Sequence, residues 1–155
     1  MQLMFFCYTD GACKKSPGAP GGWGVFIRTP EGVPVEMHGS AIKTDSEAME
    51  LTAIVEALKW LPNQVEATVF SDSRTILEIC EKRIPVLRRN GWKNVEPRYL
   101  THLSAIDELQ TSKELKITWT WLRSHNGNAG NERADALASQ GAREAKVLLE
   151  TSAQR

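Results

Sequence analysis

The hydrophobic pattern changes near Thr44, from strands alone to strands alternating with helices, and that change limits what the chain can fold into. Before it, apolar runs alternate with turn residues. Residues 4–9 are aromatic and apolar and end at Asp10-Gly11-Ala12, a buried strand entering a turn. Lys14 to Gly22 is loop chemistry, with Pro17, Gly18, Pro20, Gly21 and Gly22. Residues 23–28 read as a second strand, Pro30-Glu31-Gly32 as a hairpin turn, and residues 33–42 as a third strand. Three successive strands with short loops imply an antiparallel meander. After Thr44, helical and strand patterns alternate. Thr44-Asp45-Ser46-Glu47 has the Thr-x-x-Glu form of a capping box, predicting a helix to about residue 61, stopped by Pro62. Residues 65–70 form a fourth strand, and a helix follows over 74–82. Residues 83–99 read as irregular around Pro85, Gly91 and Pro97. A helix over 98–112 and an alternating strand over 115–122 come next. A loop, 123–130, leads to a last helix starting near Asn131, with Ala134, Leu137, Ala138 and Gly141 as its packing ridge. Residues 1–145 read as one domain and 146–155 as a frayed tail. The order β-β-β-α-β-α-α-β-α implies an α/β layered fold, a mixed sheet with helices packed on it.

Within the first helix, Thr52, Glu56 and Lys59 mark the outward stripe. At about 100° per residue Glu50 points to roughly the opposite side, among Met49, Ala53, Ile54 and Ala57. A carboxylate on a packed face is costly unless it is paired or binds a metal. Asp10 and Asp72 stand at strand ends, where open α/β sheets form ligand crevices. Asp135 lies in the early turns of the last helix. The plainer roles are turn residue, cap and dipole complement.

The chain has 155 residues, enough to bury a core without staples. Lysine plus arginine and aspartate plus glutamate both number 19, so net charge points to no polyanion and any such partner needs a local patch. Cys7, Cys13 and Cys80 are odd in number and lack CxxC spacing, which fits a reducing compartment; Cys7 and Cys80 read as small core residues. Without a signal-like start or a run of about 20 apolar residues, the expectation is a soluble cytoplasmic protein with no membrane contact.

The motifs occur in a recognisable order: Tyr-Thr-Asp10-Gly-Ala-Cys, Pro-Gly-Ala-Pro-Gly-Gly-Trp-Gly, Met49-Glu50-Leu, Ser-Asp72-Ser, and Ser-His125-Asn-Gly-Asn-Ala-Gly-Asn-Glu-Arg-Ala-Asp135. Together they resemble type 1 ribonuclease H, across nearly the whole chain to about Ala145. The resemblance implies a ribonuclease H-like fold with a five-stranded mixed sheet, three strands antiparallel and then two parallel. It implies a monomeric endonuclease that cuts the RNA strand of RNA–DNA hybrids, leaving 3′-hydroxyl and 5′-phosphate ends. It further implies two Mg²⁺ ions, or Mn²⁺, held by Asp10, Glu50, Asp72 and Asp135, with His125 moving a proton or aiding product release. Hard oxygen donors suit such ions, and a phosphodiester cut needs charge neutralised on the attacking and leaving oxygens.

From Lys82 to Arg98, six cations (Lys82, Arg83, Arg88, Arg89, Lys93, Arg98) surround Trp92 against one acid, Glu96. That density suits a phosphate backbone, and the plainer alternative is a solvated helix face. The resemblance places a basic, Trp-containing protrusion here, abbreviated in this chain, with Arg88, Arg89, Trp92 and Lys93 as substrate contacts. It adds Cys13 and Asn131 as substrate-binding residues, and Ser16, Ser46 and Arg74 at the minor groove. Ser16 stands where relatives commonly have Asn, Ser46 and Glu47 where they have paired Asn, and Arg74 where Gln is frequent. Those amides would read 2′-hydroxyls and base edges, and an ionised Glu47 cannot donate. A catalytically silent hybrid-binding module and a different nuclease on the same fold are the rival expectations. Four mutually repelling carboxylates argue against the first, and the His125 loop against the second.

Overall fold

The computed structural model, which describes residues 4–13, 18–123 and 127–153, joins five strands in one sheet. β1 (Met4–Cys13), β2 (Ala19–Arg28) and β3 (Pro34–Thr44) pair antiparallel. β4 (Glu66–Ser71) and β5 (Lys116–Trp121) continue as parallel neighbours beyond β1, so the spatial order is β3-β2-β1-β4-β5. β1 is therefore the central strand. The helices are α1 (Ser46–Trp60), α2 (Arg74–Glu78), α3 (Ile84–Arg89), α4 (Pro97–Ser112) and α5 (Ala129–Ala153). No helix among the described residues is long and apolar enough to cross a membrane.

Alternation along the strands sorts the two faces. Phe5, Cys7, Val25 and Ile27 bury against Leu51, Ile54 and Leu58 of α1 and Ile106 of α4, making the main core. Cys7 and Cys80 are buried in it as free thiols. On the other face α5 lies directly on β2. A Cβ at Gly24 would stand 2.6 Å from Ala138 N and 2.7 Å from Leu137 Cβ. Gly22 is covered in the same way by Ala138, Gly141 and Ala142. The lack of side chains here lets the helix backbone settle onto the sheet.

Several boundaries differ from what local pattern predicts. β1 and β2 run into the glycine-rich stretch, pairing Cys13 with Gly21, while β2 meets β3 with an irregularity between Ala19 and Gly21. The cover from α5 makes extended glycines worthwhile there. β3 holds Thr44 opposite Ala19, so the helix cap passes to Asp45, whose side chain accepts from Ala48 N at 2.9 Å. Asp45 also accepts from Tyr99 Oη at 3.0 Å and Arg98 Nη1 at 2.9 Å, tying the start of α1 to α4. The segment from Arg74 does not break before Pro85. A π-helical turn, Ile79–Arg83, joins α2 to α3, with Ile84 N donating to Ile79 O. The wider turn takes up the proline, which lacks an N–H and crowds a regular helix. α5 continues to Ala153 through the residues expected to fray, on strong helix formers and with Thr151 Oγ1 donating to Val147 O at 2.9 Å.

Gly24→Ala should overpack the α5–β2 contact and destabilise the protein by about 2 kcal/mol. In a chain of this size that lowers Tm by about 4–8 °C, measurable by calorimetry. An unchanged Tm refutes the close approach.

Candidate active site

Three elements deliver three acids to one point. Asp10 comes from β1, Glu50 from α1, and Asp72 from the turn just after β4. Each offers a carboxylate oxygen, and these oxygens lie within 4.8 Å of one another. Asp135, on α5, lines the same cavity of about 200 Å³ together with Gly11, Asn131 and Glu132. Asp135 is exposed and stands outside the tight trio, yet its charge and hydrogen bond reach Asp10.

Gly11 makes the trio possible. A Cβ there would meet Glu50 N at 2.5 Å and Met49 C at 2.7 Å, so only glycine lets α1 lie this close to β1. The Gly11 N–H donates to Asp10 Oδ1 at 2.9 Å and to Glu50 Oε1 at 3.1 Å, bridging the two acids. Thr9 Oγ1 donates to Phe70 O at 3.1 Å, and Tyr8 stacks on Phe70 with centroids 4.6 Å apart, which locks β1 against β4. The Asp10-Gly11 pair is visible in the sequence, but the second role of the glycine depends on α1.

Burial is the dominant electrostatic fact. Asp10 is 4% exposed and Glu50 8%. Loss of hydration pushes the Asp10 carboxyl up to about 7, with Asp72 and Asp135 adding to the shift and the hydrogen bond with Glu50 opposing it. Loss of hydration likewise raises Glu50 well above the usual carboxylate range, reinforced by Asp10 and Asp72; the Gly11 N–H pulls the other way. Glu50 Oε2 is buried with no hydrogen-bond partner. An orphaned buried carboxylate oxygen beside two more acids is a donor set for a hard divalent cation.

Other expected site residues fall around this centre. Asn131 is buried at the cavity wall, its N–H donating to Asn128 Oδ1 at 2.9 Å to start α5. Cys13 closes β1, with its Sγ 3.7 Å from Ala19 O. Ser46 and Glu47 are exposed at the start of α1. Arg74 lies over the Trp121 ring at 4.8 Å. Glu132 is an addition that motif reasoning passes over, because its neighbour Asp135 carries the pattern. The basic segment is only partly free. Arg88 Nη1 pairs with Asp107 at 2.6 Å, and Arg98 pairs with Asp45 and Glu96. Trp92 packs against the core, while Arg89 and Lys93 are exposed. His125 and Ser16 lie outside the described residues.

The sign of the pH effect follows from the raised carboxyl. Asp10 holds its proton more tightly folded, at about 7, than unfolded, at the ordinary 3.8. The folded state then binds more protons between those values, so metal-free protein loses stability as pH rises from about 4 to 7. Asp10→Asn removes that loss and should stabilise EDTA-treated protein at pH 8 by on the order of 2 kcal/mol, with little effect at pH 4. Urea unfolding at both pH values measures this; equal stabilities of the two proteins at pH 8 refute it.

The RNase H family profile matches residues 3–143. The ribonuclease H of Neisseria meningitidis is 39% identical over 143 residues, covering 92% of this chain and 97% of the relative. That of Albidiferax ferrireducens is 37% identical over 137 residues, covering 86% and 91%. LC9-RNase H1, a solved type 1 RNase H with the type 2 active-site motif, superposes with a TM-score of 0.81 at 23% identity, over 93% of this chain and 74% of that one. LC11-RNase H1, solved in complex with an RNA/DNA hybrid, superposes with a TM-score of 0.71 at 23% identity, over 91% and 98%. The two superpositions speak to the fold, and the profile and relatives to descent. A profile spanning almost all of the sequence, on a sheet of the matching strand order, makes this chain a ribonuclease H-type enzyme and a member of the ribonuclease H family.

Proposed function

We propose that this protein is an endonuclease that hydrolyses the RNA strand of RNA–DNA hybrids, leaving 3′-hydroxyl and 5′-phosphate ends. The observation that carries the reading is the trio of Asp10, Glu50 and Asp72 within 4.8 Å, two of them buried. Asp10, Glu50, Asp72 and Asp135 would hold two divalent cations, Mg²⁺ or Mn²⁺. Bound there, such ions neutralise charge on the attacking and leaving oxygens of the phosphodiester.

The chain's own residues do the rest. Burial and the Gly11 N–H keep Asp10 and Glu50 oriented toward the cavity, so little reorganisation is needed when substrate arrives. His125 moves a proton or aids product release. Cys13 and Asn131 bind substrate, and Ser16, Ser46 and Arg74 contact the minor groove, where 2′-hydroxyls distinguish RNA from DNA. Arg89, exposed at the end of α3, and Lys93, exposed beyond it, hold the phosphate backbone, with Arg88 contributing less because Asp107 engages it. Residues 1–145 act as one catalytic domain, as a monomer.

Asp10→Asn should abolish Mg²⁺-dependent cutting of a labelled RNA–DNA hybrid while circular dichroism stays native. Normal turnover in that variant defeats the site assignment, and uncut hybrid with intact wild type defeats the function. RNA–RNA and DNA–DNA duplexes run alongside should remain whole. Separately, Arg89→Ala with Lys93→Ala should raise KM, reduce its salt slope by about two and spare kcat. An unchanged KM and slope remove the patch from the binding surface.

A further inference from the structure

The turn that carries Asp72 is held at every peptide unit, and one of its holders is a side chain from another strand. β4 and β5 pair up to Ser71 and Trp121, and Leu122 N donates to Ser71 O at 2.9 Å. The Ser73 N–H donates to the buried Ser71 Oγ at 3.0 Å, and Ser73 Oγ caps α2 by accepting from Ile76 N. Between them the Asp72 carbonyl accepts from the Trp121 indole Nε1–H, at 3.2 Å. The indole is itself fixed from above, since the Arg74 guanidinium lies 4.8 Å from its ring centre.

Trp121 is 39% exposed. Its N–H fixes the peptide plane that follows Asp72, and with Ser71 it sets the direction of the Asp72 Cα–Cβ bond. We infer that Trp121, stacked under Arg74, is a positioning residue that aims the Asp72 carboxylate at Asp10 and Glu50. This rests on the proposed metal-dependent reading of the acidic cavity. Trp121 acts through the backbone of Asp72. Groups that orient metal ligands in this way commonly carry about 10–100-fold in metal affinity or activity.

Trp121→Phe keeps an aromatic ring beneath Arg74 and removes the N–H. Mg²⁺ alone, titrated calorimetrically into the free protein, should bind about 10-fold more weakly than to wild type. At fixed sub-saturating Mg²⁺, kcat on the hybrid should fall while its KM stays within about twofold, because no substrate contact is lost. A Kd for Mg²⁺ equal to wild type overturns the inference, as does a raised KM with unchanged kcat, which would make Trp121 a substrate contact. Should Trp121→Phe fail to fold, Arg74→Lys decides. It keeps the charge but loses the planar stack, and should weaken Mg²⁺ binding by about threefold; wild-type affinity there also overturns the inference. Wild-type protein that binds Mg²⁺ but leaves hybrid uncut defeats the proposed function alone, and the Mg²⁺ titration still judges Trp121.

Discussion

The contact between Gly11 and the backbone of α1 sets the separation of Asp10 and Glu50, and the chemistry of the cavity follows from that separation. Any side chain at Gly11 would collide with Glu50 N and Met49 C. Because there is none, one amide serves two carboxylates. The same closeness is what strips both acids of water. Geometry and electrostatics are thus one constraint here, imposed by a missing Cβ.

Its cost falls on the metal-free protein. Each buried acid alone would be a moderate burden, but Asp10, Glu50 and Asp72 also repel each other. The fold can bear this because its main core is elsewhere, between the Phe5–Cys7–Val25–Ile27 face and helices α1 and α4. Gly22 and Gly24 bring α5 down on the opposite face. Asp135 is carried toward the cavity on that helix. Two helices on two faces therefore converge at one end of the central strand.

Much of this was legible in the sequence, for physical reasons. The change of pattern near Thr44 separates the meander from the alternating half, and the sheet order agrees. Glu50 could be picked out because helical spacing places it among Met49, Ala53 and Ile54, all buried with it. What stayed hidden depended on partners far along the chain. Gly22 looks like loop until α5 covers it, and Gly21 until Thr44 and Met49 close over it. Thr44 looks like a cap until Ala19 pairs with it. Arg88 looks free until α4 brings Asp107 beside it, and Trp92 looks like a surface contact until the core receives it. The hydrogen bond from Trp121 to the Asp72 carbonyl has no sequence signature at all, because both strands must be in register before it exists.

The wide turn at Ile79–Arg83 has a consequence for how the molecule's parts can vary. Such a turn is in effect one residue spliced into a regular helix, and everything downstream is swung round the axis by about 100°. Arg88 and Arg89 lie downstream, whereas Asp72 lies upstream and is anchored by the sheet. Gaining or losing a single residue in that turn would re-aim the Arg88 and Arg89 side chains while Asp72 stayed still.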